Sequence, residues 1–134
     1  MDRRLAAAGL ALSLAAASLM VTGCAPAARC FPEPLKATPT SVAAGGAVTI
    51  SSAAARCDLG YPGGHTYSIV LWHRGIHSES ISVRVAPDGS FGTELTVPAD
   101  FPHGEAFVVV SGSTYDDCVD TGSCAGYSTT ITVE

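Results

Sequence analysis

The sequence predicts an all-β protein, a seven-stranded, two-sheet sandwich that follows a cleaved signal peptide. The chain of 134 residues is 47% hydrophobic and only 14% charged, which is typical of one globular domain. After residue 34, short runs alternate apolar and polar residues, and turn residues separate the runs. No long segment there repeats its apolar residues with the period of a helix. These observations favour strands throughout the mature domain.

Residues 1–23 have the pattern of an export signal. Arg3 and Arg4 precede an apolar run over residues 5–21, which ends in small residues. The sequence Val-Thr-Gly-Cys at residues 21–24 resembles the lipobox of bacterial lipoproteins. The resemblance implies cleavage after residue 23, an acyl chain such as palmitate on Cys24, and a short linker over residues 24–34. It places the protein at the extracytoplasmic face of the cell membrane. An ordinary secretory signal followed by a chance cysteine is the alternative.

The signal is also rich in alanine, which is associated with bacteria of high GC content and favours an actinobacterial lipoprotein.

Four further cysteines lie in the predicted mature chain, namely Cys30, Cys57, Cys118 and Cys124. An even number in an exported domain indicates two disulfides, for which three pairings are possible. We favour Cys30–Cys57, which fastens the amino-terminal segment, and Cys118–Cys124, which closes a loop locally. A zinc site is the alternative, although none of the spacings is C-x-x-C.

Seven strands are predicted within residues 35–134. They cover residues 35–40, 47–52, 66–73, 79–85, 90–97, 105–113 and 127–133. The clearest turn is Pro87-Asp88-Gly89, because proline sets φ for a tight turn and glycine takes the left-handed position that closes a hairpin. Strands of this length and spacing favour two packed antiparallel sheets.

Three segments carry a resemblance to bacterial immunoglobulin-like domains. They read Ala-Thr-Pro-Thr-Ser-Val at 37–42, Gly-Gly-Ala-Val-Thr-Ile-Ser at 45–51 and Pro-Asp-Gly-Ser-Phe at 87–91. The resemblance covers residues 35–134 and implies that the third and sixth strands are neighbours in one sheet. A fainter likeness to the apoproteins of enediyne antibiotics rests on the closely spaced Cys118 and Cys124.

The third and sixth predicted strands are apolar on both faces, whereas the others alternate cleanly. A sheet centre of this kind leaves an apolar patch in solvent, and such patches often mark interaction sites. The candidate binding face comprises Trp72, Tyr67, Ile69, Phe107 and Val109. The alternative is that central strands favour apolar residues for their β-propensity alone. The pattern leaves open whether Trp72 faces the core or the solvent.

Three histidines, His73, His77 and His103, lie in turns predicted at one end of the sandwich. Neutral imidazoles bind zinc or copper, so these residues are weak metal candidates. Their spacing matches no metal motif, and histidines in turns are commonly only solvated. We therefore predict neither a metal nor a cofactor.

The net charge and the sequence motifs argue against two classes of function, nucleic-acid binding and catalysis. The net charge is −5 and Lys36 is the only lysine, so nucleic acid is a poor partner. The chain has no G-x-S-x-G, H-E-x-x-H or P-loop motif, which argues against an enzyme. We expect a non-catalytic binding module of the cell envelope, with an envelope protein or a small apolar ligand as partner. The alternatives are a small-ligand or metal carrier and a structural envelope spacer.

Overall fold

A computed structural model describes residues 29–117 and 126–134 of the chain. The predicted signal peptide, the lipidation site Cys24, and both Cys118 and Cys124 lie outside these residues. The described residues form strands joined by turns, with one short 3-10 helix, Thr114–Asp117. The strands are β1 Lys36–Thr38, β2 Ser41–Val42, β3 Ala47–Ser52, β4 Thr66–His73, β5 Ile76–His77, β6 Ile81–Arg84, β7 Phe91–Thr96, β8 Gly104–Ser111 and β9 Tyr127–Val133. The predicted all-β class is confirmed.

The strands form two sheets. The smaller has the order β1-β3-β7, and the larger has the order β2-β9-β8-β4-β5, with β6 also paired to β4. The pairs are antiparallel except for β2 with β9, which is parallel. Both sheets contribute side chains to one hydrophobic core, so they pack face to face in an arrangement consistent with a β-sandwich.

The core follows from the two-residue period of the strands, because alternate side chains point to opposite faces of a sheet. On β3 of the small sheet, Val48 and Ile50 are buried while Ala47 and Thr49 are exposed. On the central strands of the large sheet the buried residues are Tyr67, Ile69 and Leu71 of β4, and Ala106, Val108 and Val110 of β8. The predicted adjacency of these two strands is confirmed by the register, which sets Leu71 beside Val108.

The predicted first strand, residues 35–40, contains only β1 in the structure, and a second short strand, β2, follows it at Ser41–Val42. β1 pairs with β3 in the small sheet, and β2 pairs with β9 in the large sheet. Pro39 lies between them and has no N–H group with which to continue a ladder. The chain therefore leaves one sheet at Pro39 and joins the other two residues later. The expected count of seven strands is wrong for this reason and because of β5.

The short strand β5 is absent from the prediction. It forms a hairpin with β4 through the two-residue turn Arg74-Gly75, in which both residues have positive φ, 47° and 87°. Ser78 ends the hairpin, since its N–H donates to the carbonyl of Leu71 and its hydroxyl accepts from the N–H of Leu71. The strand predicted over residues 79–85 then begins later, at Ile81, and still pairs with β4.

The predicted turn at residues 87–89 is confirmed. Gly89 has a φ of 82° and donates its N–H to the carbonyl of Ala86 at 2.8 Å. The positive φ favours glycine here, and a Cβ at this position would also require the Leu59 side chain to move, since it would lie 2.5 Å from Cδ1 of Leu59. The Asp88 carboxylate accepts hydrogen bonds from the hydroxyl and the N–H of Ser90. These bonds hold the pKa of Asp88 below its usual range.

Candidate functional site

Four apolar side chains lie on the outer face of the large sheet, and we call them the outer patch: Val70, Trp72, Phe107 and Val109. They occupy the alternate positions of β4 and β8 that point away from the core. The register places Val70 beside Val109 and Trp72 beside Phe107. Two adjacent cross-strand pairs thus form one continuous apolar surface.

Trp72 is the most exposed member of the outer patch. Its side chain is 41% exposed, and its ring lies 5.8 Å from that of Phe107 at an angle of 50°. Val70, Phe107 and Val109 are half-buried by their neighbours. The sequence did not decide whether Trp72 faces the core or the solvent, and the structure shows that it faces the solvent. Tryptophan beside phenylalanine supplies a large apolar area with few rotatable bonds, which suits recognition of a partner.

Hydroxyl-bearing side chains flank the outer patch, and two of them lie on β9. The register sets Ser128 beside Val109 and Thr130 beside Phe107, and both β9 residues are exposed. On the other side of the patch, Ser68 of β4 forms a hydrogen bond with Ser80. An apolar centre with a polar rim is the usual organisation of a recognition surface.

Two residues of the predicted binding face do not belong to it. Tyr67 and Ile69 are fully buried, because they lie on the inner face of β4 and contribute to the core. The error has a simple cause: β4 alternates its faces residue by residue, so Tyr67 and Trp72, five positions apart, must point in opposite directions. Val70, on the same face as Trp72, takes their place.

A small hollow adjoins the outer patch at the turn end of β4. Its volume is about 220 Å³, and its lining consists of Trp72, His73, Arg74, His103, Gly104, Glu105 and Phe107. Nδ1 of His73 is 2.7 Å from the main-chain carbonyl oxygen of Glu105, so this nitrogen carries the hydrogen and the ring orientation is fixed. Two of the three candidate histidines, His73 and His103, therefore line one hollow.

The third candidate, His77, lies apart from that hollow, on a groove on the other side of β5. Within residues 29–117 and 126–134, no three His, Cys, Asp or Glu side chains come close enough to hold a metal ion. The three histidines predicted at one end are thus divided between two surface depressions.

A disulfide joins Cys30 to Cys57 at the opposite end of the sheets, with an S–S distance of 2.06 Å. The predicted pairing of these two cysteines is confirmed. The Thr114 hydroxyl donates to the Cys30 carbonyl at 3.0 Å, so the segment after β8 lies beside the bond. The second predicted disulfide, Cys118–Cys124, lies outside the described residues.

All of the chain's tyrosines contribute to an aromatic cluster at this same end. Tyr67 lies at its centre, with the rings of Tyr61, Phe91 and Tyr127 between 5.5 and 5.9 Å away. Tyr115 stacks on Tyr127 at 5.2 Å. The sequence prediction missed this cluster, although the predicted strand starts at residues 66, 90 and 127 already placed three of these rings at one end.

The phenol groups of Tyr67 and Tyr127 are held neutral. The hydroxyls of Tyr67 and Tyr61 are 2.9 Å apart, and the Thr114 N–H donates to the Tyr61 oxygen at 3.3 Å. Burial raises the pKa of Tyr67 far above its ordinary value and raises the pKa of Tyr127 to about 12. A phenol kept protonated in the core is a poor base or nucleophile, so the cluster stabilises the fold.

Comparison with known proteins adds no relative, since no protein-family description and no curated sequence matches the chain. In the described part of the chain, no helix has the length and apolar character needed to cross a membrane.

Proposed function

We propose that the protein is an exported lipoprotein, held at the extracytoplasmic face of the cell membrane through acylated Cys24, whose immunoglobulin-like sandwich is a non-catalytic binding module. The outer patch is its recognition surface. The observation that carries the proposal is the exposed indole of Trp72, paired with Phe107 on a rigid two-strand platform.

The immunoglobulin-like assignment is supported by the order of the strands. β8 and β4 are the central strands of the larger sheet, β9 lies beside β8, and β3 lies between β1 and β7 in the other sheet. The chain also crosses from one sheet to the other near Pro39.

Export is supported by chemistry as well as by the lipobox. A disulfide that joins residues 30 and 57 is stable in an oxidising compartment and uncommon in the reducing cytosol. Cys30 lies six positions after Cys24, and an extended segment of that length reaches at most about 20 Å. The end of the domain that carries the disulfide would therefore face the bilayer, and the Arg74-Gly75 turn would point away from it.

The contacts of the histidines support a binding role over a catalytic one. His73 bonds the carbonyl oxygen of Glu105, and His65 bonds that of Gly112, both at 2.7 Å. Among the described residues, neither ring forms a hydrogen bond with a serine hydroxyl or a carboxylate, which are the contacts of a catalytic dyad or triad. The one ring nitrogen that each histidine engages positions a loop.

The recognition surface is tested by replacing its aromatic rings in the full chain. Trp72→Ala and Phe107→Ala should each abolish crosslinking to the envelope partner that the wild-type protein captures in intact cells. The matched control is Ile76→Ala, because Ile76 is 52% exposed but lies outside the outer patch. Retention of the partner by both patch variants, with unchanged melting temperatures, contradicts the proposal.

The anchor is tested separately with Cys24→Ala. Metabolic labelling with an alkyne analogue of palmitate should mark the wild-type chain and leave the variant unmarked, and the variant should leave the membrane fraction. A wild-type chain that takes up no label refutes the lipid anchor without touching the recognition surface.

A small-ligand carrier is the second candidate, and the hollow beside Trp72 favours it. The hollow has a volume of about 220 Å³, and it is lined by aromatic rings, imidazoles and Arg74. This volume is below the roughly 300–1,000 Å³ of typical ligand pockets, so it admits only a compact molecule. Native mass spectrometry of gently purified protein should show a stoichiometric adduct for a carrier and the bare chain for an interaction module.

A further inference from the structure

A surface depression lies where the two sheets part, on the side away from the outer patch. We call it the seam groove, and its volume is about 620 Å³. One wall is the end of β7 and the segment that follows it, and the other wall is β5 and the start of β6. Among the described strands, β7 is the last of the small sheet, and no other described strand pairs with its outer edge.

The unpaired edge of β7 presents main-chain hydrogen-bonding groups. The N–H of Val97 donates to Gly46 at the end of the β3–β7 ladder. Because donors alternate along an antiparallel ladder, the N–H and C=O groups of Gly92, Glu94 and Thr96 point away from β3. No described residue forms a hydrogen bond with these groups. They are available to an added strand.

The edge also lacks most devices that natural proteins use to block strand addition. β7 contains no proline and no lysine, and its pairing with β3 runs through six residues without a bulge. Its one charged residue is Glu94, which is exposed. Pairing with the same edge of a second copy would bring like charges together, which is unfavourable. A partner of opposite charge meets no such barrier.

The lining of the seam groove defines that partner further. Its floor is apolar, formed by the buried Leu95 and Phe101 and the half-buried Ile81. Its rim carries the exposed carboxylates of Glu79, Glu94 and Asp100, and no lysine or arginine lines it. An extended segment with alternating apolar and basic side chains matches the apolar floor and the acidic rim, because its apolar side chains point to the floor and its basic side chains point to the rim.

We propose that the seam groove binds an extended basic peptide segment of another protein, which adds as a strand to the edge of β7. Main-chain hydrogen bonds to Gly92, Glu94 and Thr96 provide the register, and the three carboxylates select lysine or arginine. The site is separate from the outer patch and does not depend on it.

The test uses the full processed chain in detergent micelles and a defined probe, acetyl-Lys-Val-Lys-Val-Lys-Val-amide. Titration should shift the amide NMR signals of Gly92, Glu94 and Thr96 most strongly. The acidic counterpart, with Glu in place of Lys, should not bind. A probe whose main-chain nitrogens are methylated at every lysine and valine cannot donate these hydrogen bonds in either strand orientation and should bind at least about tenfold more weakly, since each 1.4 kcal/mol of lost free energy is a factor of ten.

Charge reversal supplies the matched pair of variants. Glu94→Lys should weaken binding of the basic probe about threefold to tenfold, as expected when an exposed attraction becomes a repulsion. Glu105→Lys reverses an equally exposed carboxylate on β8, outside the groove, and should change binding less than about twofold. Circular dichroism and the melting temperature verify that both variants are folded.

Three results would overturn the proposal. The first is equal binding of the basic and acidic probes, or of neither. The second is full affinity for the methylated probe. The third is self-association that already protects the outward amides of β7 without any peptide, which would assign the edge to a second copy of the chain.

Discussion

At the scale of single residues, Tyr67 combines the deepest burial with a polar group. Its ring is fully buried among aromatic neighbours, yet its hydroxyl is paired with that of Tyr61 at 2.9 Å. A buried hydroxyl costs free energy unless it is hydrogen-bonded, and this pair removes that cost. The tyrosine therefore links the core to the loop that precedes β4.

Tyr67→Phe should lower the free energy of unfolding by about 1 kcal/mol, because it removes one buried hydrogen bond and keeps the ring. Tyr67→Ala should cost about 3–5 kcal/mol, since it also leaves a cavity. Urea denaturation measures both. Tyr115→Phe is the control, because the Tyr115 hydroxyl forms no hydrogen bond with another described residue. An equal loss in the Tyr115 variant would contradict this role for the Tyr67 hydroxyl.

The buried phenols also predict an alkaline limit to stability. In the folded chain the pKa of Tyr127 rises from 10.0 to about 12, mainly because of burial. Above pH 10 the unfolded chain releases this proton while the folded chain keeps it, so stability falls as the pH rises from 10 to 12. The loss is on the order of 1 kcal/mol per pH unit for each such tyrosine. Urea midpoints at pH 8, 10 and 11 should decline, and Tyr127→Phe should flatten the decline.

At the scale of elements, the turn of the β4–β5 hairpin places Arg74 in a backbone conformation that is unfavourable for arginine. Arg74 has a φ of 47°, in the left-handed region that residues with a Cβ adopt reluctantly, and Gly75 follows at 87°. Asparagine tolerates this region better than arginine does. β5 was not predicted because it is only two residues long and because arginine is an unusual residue at the first position of such a turn.

Arg74→Asn should therefore stabilise the protein by about 0.5–1 kcal/mol, measured as a higher midpoint in urea. Gly75→Ala is the opposing control and should destabilise it by about 1 kcal/mol, because alanine takes the place of the residue best suited to positive φ. A lower urea midpoint for Arg74→Asn would contradict this prediction. It would show that the contacts of the Arg74 guanidinium contribute more free energy to stability than the left-handed conformation of Arg74 costs.

Element by element, the predictable part of the fold is the part that alternation controls. Strands β3, β4 and β9 begin and end as the sequence predicts, because turn residues bound each of them, and β3 and β9 also alternate cleanly between apolar and polar residues. The errors arise where three-dimensional pairing overrides the local pattern. The exchange of sheets at Pro39 depends on which neighbour each half of the segment meets, and sequence periodicity carries no information about that choice.

The same distinction applies to the candidate site. Periodicity identified β4 and β8 as apolar on both faces, which was enough to predict a patch containing Trp72 and Phe107. It failed for Tyr67 and Ile69 because periodicity separates the two faces of β4 but does not decide which of them points to the core. The seam groove was beyond prediction, since its walls come from two different sheets and meet only after packing.

At the scale of the whole molecule, the Cys30–Cys57 bond fixes the segment before β1 to the loop between β3 and β4. The bond closes a loop whose ends are 27 positions apart, and closing such a loop restricts the unfolded chain. Replacement of both cysteines by alanine should lower the free energy of unfolding by about 3 kcal/mol.

Urea denaturation of the double variant under oxidising conditions measures this loss. A denaturation midpoint that matches the wild type would show that the folded body gains nothing from the bond.

The position of this bond also decides how the protein transmits mechanical force. A pull on the chain ahead of Cys30 passes through sulfur to Cys57, so the polypeptide between them, including β1, β2 and β3, carries no tension. The load enters the body just before β4, the strand that holds Trp72. A tether at the amino terminus thus pulls on the middle of the larger sheet, while the parallel contact between β2 and β9 stays slack.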